Sequence, residues 1–364
     1  MKKIGIVTYH RAINYGAVLQ SYALQHYIIV ANYNVETIDY RCPAIDIQYK
    51  FKGPRKSSSL LNFFAHNITC FFRVLKKRRF NRFVDKYLQL SSKYSPNNIK
   101  DCTKYDVLIS GSDQVFNPTC NDSDPIYLLD FDENAVKYSY AASLGSIIQF
   151  NSSKSDTTKL LNKFKCVSLR EQSSVDYLSN VLHTKTVLSV DPVWLLTKEE
   201  WSSIFNESKK RPYILVYNLM DYKYMKSFVK SFSKQKHLRV IAINRTIMGD
   251  VMYFGCSSIK SNVSPNQFLE LIKGSEYFIT DSFHGTSFAI IFEKPFGVFL
   301  SKKKDNTNSR LFNLLGLTSL QDRVANCEEF NIDNPIDFKV AKANMSSIIA
   351  ESKNYIQSIC SDED

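Results

Sequence analysis

The segment Thr280-Asp281-Ser282-Phe283-His284-Gly285-Thr286 puts a titratable imidazole between two apolar runs, Tyr277-Phe278-Ile279 and Ser287-Phe288-Ala289-Ile290-Ile291-Phe292. The first run reads as a buried strand and the second as the start of a buried helix. In an open α/β sheet, ligands bind in the crevice outside such a strand end. Backbone N–H groups at the start of the helix, here around Ser282, Gly285 and Thr286, favour an anion. Imidazole changes charge near neutral pH and carries protons readily. His284 beside an anion cradle points to acid–base chemistry on a phosphorylated or carboxylated substrate.

Four further constellations sit at similar handovers. Asn14-Tyr15-Gly16-Ala17 follows the first apolar run; Gly16 permits a tight turn or close approach of a ligand, and Asn14 and Tyr15 offer hydrogen bonds to sugar hydroxyls. The bland alternative there is a strand-to-helix turn punctuated by Gly16. Gly111-Ser112-Asp113-Gln114-Val115-Phe116-Asn117-Pro118 gathers donors and acceptors, of which turn chemistry explains all but Gln114. Arg170 ends the run Cys166 to Leu169, where a guanidinium can hold a carboxylate or phosphate through two parallel bonds; the alternative is an ion pair at a helix start. Arg310, in Asn308-Ser309-Arg310-Leu311, adds positive charge or serves a helix cap.

The elements that must position these residues alternate strand and helix. Strands are expected at 4–8, 35–39, 106–110, 137–140, 166–169 and 186–188, with a helix over 17–29. After Asp191-Pro192 a second series follows: strand 213–217, helix 221–233, strand 238–243, a helix opened by Ser264-Pro265-Asn266-Gln267, strand 277–280, and strand 296–300. Alternation of this kind implies parallel pairing, so two Rossmann-like halves are expected. The expected boundaries are 1–192 for an acceptor-side domain and 193–335 for a donor-side domain. A helical segment within 336–364, from Phe338 to Ile359, is expected to pack back across a hinge near residue 192. Residues 59–90 are read as a basic insertion, a pair of helices; positions 71–88 hold seven Lys or Arg and one acid. Its charges form a solvated face, or make peripheral contact with an anionic membrane.

Composition narrows the classes further. The net charge of +12 favours anionic partners of any kind. Eight scattered cysteines contain no Cys-x-x-Cys pair, so neither a zinc site nor a disulfide framework is expected, and reduced thiols suit the cytoplasm. No signal peptide or membrane span is expected, because the first apolar run is broken at His10-Arg11 and no run is long enough. The chain lacks the Gly-x-Gly-x-x-Gly fingerprint and the phosphate-binding lysine loop. It also carries no recognised nucleic-acid motif, and no nucleic-acid partner is expected.

Together and in this order, the five segments resemble the polysaccharide pyruvyl transferase family, from Ile4 to about Arg323. The resemblance rests on Asn14-Tyr15-Gly16-Ala17, Gly111-Ser112-Asp113-Gln114, Arg170-Glu171, Asp191-Pro192 and the strand–His284-Gly285–helix element. It implies two Rossmann-like domains of the glycosyltransferase-B type. It also implies transfer of pyruvate from phosphoenolpyruvate to a sugar of a capsule, exopolysaccharide or lipid-linked precursor, forming a ketal, with no metal or nucleotide cofactor. His284 then acts as acid and phosphate ligand, with Asp113 as base. Arg170, Ser282, Gly285, Thr286 and Arg310 would surround the donor. Asn14, Tyr15, Gly16, Gln114 and Asn117 would hold the acceptor. Many members carry an arginine two residues before the histidine, where this chain has Ser282. That departure keeps two alternatives open: a glycosyltransferase using a sugar nucleotide, and a non-catalytic protein binding glycan or nucleic acid.

Overall fold

The computed structural model describes residues 2–48, 60–151, 154–207, 211–219, 223–243, 258–300, 308–325 and 330–361. The chain divides into two compact units. Residues 1–50, 84–196 and 345–364 form the first; residues 51–83 and 197–344 form the second.

The first unit is built on seven strands: β1 (Lys3–Val7), β2 (Asn34–Tyr40), β3 (Leu90–Tyr94), β4 (Val107–Ser110), β5 (Val136–Ser139), β6 (Cys166–Leu169) and β7 (Lys185–Leu188). They pair in the order β3-β2-β1-β4-β5-β6-β7, every pair parallel. A parallel strand covered on both faces needs an unbroken apolar run, and Ile4, Ile6 and Val7 of β1 are all buried. The helix Tyr15–Val30 returns the chain from β1 to β2 with Val18, Leu19, Ala23, Leu24 and Ile28 inward. Strand order reverses between β1 and β4, so the loops leaving Val7 and Ser110 open at a topological switch point. The C-terminal helix Phe338–Ser361 reaches the far strands of this sheet. Tyr355 donates to the Ser139 carbonyl (3.0 Å), and Ser352 Oγ accepts from Val190 N–H (2.9 Å).

The second unit carries β8 (Tyr213–Tyr217), β9 (Arg239–Ile243), β10 (Ser258–Lys260), β11 (Tyr277–Thr280) and β12 (Phe296–Val298), again wholly parallel, in the order β10-β9-β8-β11-β12. Its switch point lies between β8 and β11. Every residue of β8 is buried. Ile214, Val216, Val229, Phe232, Val240 and Ile279 share one core.

The expected fold class is what the chain adopts: two parallel-sheet α/β units of glycosyltransferase-B-like type. Three details differ from the sequence reading. Strand β3, Leu-Ser-Ser-Lys-Tyr, is a half-exposed edge without an apolar run. Strand β10 has three residues. The basic segment is one helix, Leu60–Tyr87, where a pair was expected. Residue 59 of that segment lies outside the described residues. No helix among the described residues is long and apolar enough to cross a membrane.

Candidate functional site

In the first unit the expected acceptor residues are largely occupied by the fold itself. Asn14 is the N-cap of helix Tyr15–Val30, and its Oδ1 accepts from the N–H groups of Gly16 (2.9 Å) and Ala17 (3.4 Å). That role satisfies helix donors that would otherwise be orphaned. Tyr15 is 1% exposed and belongs to the core, and Gly16 is buried beside it. Asn117 is also an N-cap, of the short helix Pro118–Asn121. Its Oδ1 accepts from Thr119 N–H (3.1 Å), while its Nδ2 donates to Gln114 Oε1 (2.9 Å) and Gln149 Oε1 (3.1 Å). Gly145, at φ 72°, closes over this pair; a Cβ there would fall 2.2 Å from Asn117 Nδ2. Asn14 and Asn117 thus serve as caps, and Tyr15 packs in the core. Gln114 is the exception. It is half-buried, and its side-chain amide hydrogens have no partner among the described residues.

Asp113 and Arg170 are brought together. Leaving β4, Asp113 adopts φ 78°, a conformation strained for a non-glycine residue. Its Oδ1 accepts from its neighbour's Gln114 N–H (2.9 Å) and from Arg170 Nη2 (3.3 Å). Arg170 Nη1 donates to Asp191 Oδ2 (2.7 Å) and its Nε to Glu171 Oε1 (3.2 Å). Its side chain is 1% exposed. Burial alone would lower the arginine pKa; Glu171, Asp113 and Asp191 outweigh it and raise the pKa above its usual value. The ends of β4, β6 and β7 bring three carboxylates onto Arg170.

A second polar hub in this unit escaped the sequence reading. Asp39, at the end of β2, accepts from His10 Nε2 (3.0 Å), Arg11 Nε (3.0 Å) and Nη2 (2.9 Å), and Arg41 Nη2 (3.0 Å). His10 Nδ1 faces the Thr8 carbonyl at 3.0 Å. Burial alone would raise the Asp39 carboxyl; hydrogen bonds and charge from His10 and Arg11 reverse this and hold it well below the usual carboxylate range. One signal was available. An acid between Ile38 and Tyr40 in a buried strand must find a cation.

The second unit holds the remaining residues, all but one on one turn. Ser282 is the N-cap of helix Phe283–Ile291, with Oγ accepting from Gly285 N–H (3.2 Å). Thr286 donates through N–H (2.9 Å) and Oγ1 (3.0 Å) to the Ser282 carbonyl. The N–H groups of Gly285 and Thr286 are thus bonded within the turn, the first by the serine side chain and the second by the main-chain carbonyl of residue 282. Thr280 Oγ1 donates to the Tyr217 carbonyl (2.7 Å), and Asp281 Oδ1 accepts from Leu219 N–H (2.7 Å). Both bonds tie the end of β11 to that of β8 across the switch point. Gly285 is needed for this closure: a Cβ would meet Thr280 Oγ1 at 2.9 Å. His284 sits in the first helical turn, 8% exposed, edge-on to Phe283 with ring centroids 5.1 Å apart. The positive end of the helix dipole lies at this turn. Arg310 lies half-buried in the first turn of the separate helix Ser309–Leu317. Among the described residues no group of His, Cys, Asp and Glu side chains is arranged to hold a metal.

Residues 14–302 match the polysaccharide pyruvyl transferase family. The chain belongs to that family. No functionally curated protein sequence matches it. Solved structures match over nearly the whole chain at low identity. UGT89C1 of Arabidopsis thaliana is 9% identical with a TM-score of 0.50, covering 99% of each chain. The UDP-GlcNAc 2-epimerase of Neisseria meningitidis, bound to UDP-GlcNAc, is 11% identical with a TM-score of 0.47, covering 96% of this chain and 100% of the other. The glycosyltransferase SnogD of Streptomyces nogalater is 12% identical with a TM-score of 0.47, covering 99% of each. At these identities the likeness is one of fold.

Membership does not bring the expected reaction with it. UGT89C1, at a TM-score of 0.50 and 9% identity, shares the fold alone. Within this chain, the arginine that resemblance assigned to the donor is enclosed by carboxylates, and the position of the other is Ser282. The expectations of ketal formation, of pyruvyltransferase activity and of phosphoenolpyruvate as the donor partner are therefore corrected.

Proposed function

We propose that the protein is a glycosyltransferase that moves a sugar from a sugar nucleotide to a glycan hydroxyl. The observation that carries this reading is the placement of His284. It occupies the first turn of a helix that opens at the switch point of a parallel sheet, the site where α/β sheets take phosphorylated ligands. The acceptor hydroxyl gives its proton to a base, and its oxygen attacks the anomeric carbon. The bond from that carbon to the phosphate oxygen breaks, and the nucleotide leaves with the electron pair. His284 donates a hydrogen bond or proton to the departing phosphate, assisted by the helix dipole. Asp113 is the residue we assign as base: it is ionisable, held by Arg170, and strained as functional residues often are. Gln114, with its uncommitted amide hydrogens, orients the acceptor. We place the reaction in the cytoplasm, where the thiols of Cys42, Cys102, Cys166 and Cys360 stay reduced.

The test is binding, followed by turnover, with UDP-, GDP- and CMP-sugars beside phosphoenolpyruvate. A sugar nucleotide should raise the melting temperature and support acceptor-dependent transfer. His284→Ala should lower turnover about a hundredfold or more with little change in stability. Stabilisation by phosphoenolpyruvate alone would overturn the reading.

A further inference from the structure

The helix Leu60–Tyr87 read as a solvated basic insertion, yet one side of it faces protein. Within the second unit, Phe72 and Arg79 form one wall of a pocket of about 360 Å³. The opposite wall begins at Lys260, the last residue of β10, and continues through Asn262 to Gln267 and Leu271 of helix Pro265–Lys273. The pocket thus opens at the carboxyl end of the edge strand.

Its chemistry is specific. Asn262 Oδ1 is buried and has no hydrogen-bond partner, which is costly unless a ligand supplies one. Arg79 Nη1 donates to Gln267 Oε1 (2.7 Å), which fixes the guanidinium against the wall. Its remaining N–H groups have no partner among the described residues. Lys260 adds a second cation at the rim, and Phe72 and Leu271 supply apolar surface. An amide offering an acceptor beside a donor pairs with the edge of a nucleobase, where N–H and carbonyl groups alternate. A flat apolar wall suits the face of the base.

Distance agrees with this assignment. Strands β10 and β11 are separated by β9 and β8. Three inter-strand spacings are about 14 Å, the scale of an extended nucleoside diphosphate. A base at the end of β10 would leave its phosphates near His284, at the end of β11.

We propose that this pocket binds the base of the sugar nucleotide, so that the insertion helix helps select the donor. The inference rests on the sugar-nucleotide reading of the β11 turn. It is tested by calorimetric titration of the full chain with UDP, GDP, CDP, ADP and inorganic pyrophosphate. Asn262→Leu and Arg79→Met are compared with Arg78→Met, which removes an exposed charge from the same helix. Circular dichroism confirms that each variant is folded. Asn262→Leu and Arg79→Met should each weaken the preferred nucleoside diphosphate about tenfold and narrow the differences among bases. Arg78→Met and the pyrophosphate affinity of Asn262→Leu should match wild type. Nucleotide binding that all three variants leave alike would overturn the pocket while sparing the donor reading. No binding of any nucleotide to wild type would overturn both.

Discussion

The first unit holds two buried polar hubs with opposite composition. At the ends of β1 and β2, one carboxylate, Asp39, accepts from His10, Arg11 and Arg41. At the ends of β4, β6 and β7, one guanidinium, Arg170, is shared by Asp113, Glu171 and Asp191. Each hub neutralises only part of what surrounds it. The Asp39 hub passes its excess outward, because Arg11 also meets the exposed Asp85 (2.8 Å) and Arg41 is partly exposed. The Arg170 hub is more enclosed: Asp191 has no exposed side-chain surface and Glu171 is 8% exposed. Asp113, at 11%, is the most exposed of its three carboxylates. The difference teaches which hub is bracing and which is suited to act on a ligand. In the proposed reaction, Asp113 is the carboxylate of that hub assigned to take a proton from a bound hydroxyl.

The largest effect should come from the enclosed hub. Arg170→Met leaves three buried carboxylates without their cation, and breaking such a network costs about 3–5 kcal/mol. Urea unfolding of the full chain measures it. A loss under about 1 kcal/mol would mean that the carboxylates are hydrated in solution and that the contrast between the hubs is false.

Asp39→Asn should cost about 2 kcal/mol, since charge-assisted hydrogen bonds are weakened but their geometry survives. This hub also predicts a pH dependence. The Asp39 pKa is lower in the folded chain than in the unfolded one, so the unfolded chain binds more protons in acid. The stabilisation is fully present above the unfolded carboxyl pKa of about 4 and is lost as pH falls below it toward the folded value. Urea midpoints taken from pH 6 down to pH 3 should therefore decline less steeply for Asp39→Asn than for wild type. Parallel declines would remove Asp39 as the source.

How these hubs escaped or misled the sequence reading has a physical cause. The strand β11 was legible to the residue, Tyr277–Thr280, because an apolar run stops at Thr-Asp-Ser. The helix after Ser264 was legible through Ser-Pro-x-Gln, and its capping box forms, with Ser264 N–H donating to Gln267 Oε1 (3.2 Å). Local signals of that kind fix elements. They do not fix which strand ends become neighbours. Asp113, Arg170 and Asp191 converge only because β4, β5, β6 and β7 lie side by side in one parallel sheet. The sequence placed Arg170 at a strand end, and nothing in the local pattern announced its three partners. His10 was noticed only as an interruption of an apolar run, for the same reason: its partner Asp39 is on the next strand. In the second unit, Ser282 read as a missing arginine, whereas locally it is a cap that closes the turn. The basic helix misled in the opposite direction. Its charge run suggested a solvated face, but Arg79 turns inward to Gln267.

The smallest effect separates the hubs most finely. Glu171 Oε1 accepts from both Arg170 and Ser143 Oγ (2.7 Å), while its Oε2 is buried without a partner. Glu171→Gln keeps the first oxygen and removes one negative charge from a cluster that already has more carboxylates than cations. It also places an amide NH2 at a buried position where the present oxygen has no partner. These terms oppose each other, relief of like-charge repulsion against an unsatisfied donor. The expected change in unfolding free energy is within about 1 kcal/mol of zero. Transfer activity should persist, because Asp113 keeps Arg170 at its Oδ1. A loss as large as that of Arg170→Met would show that Glu171 is a required brace. The Arg170 hub would then be structural throughout, and the case for Asp113 as the base would have to stand on its strained backbone alone.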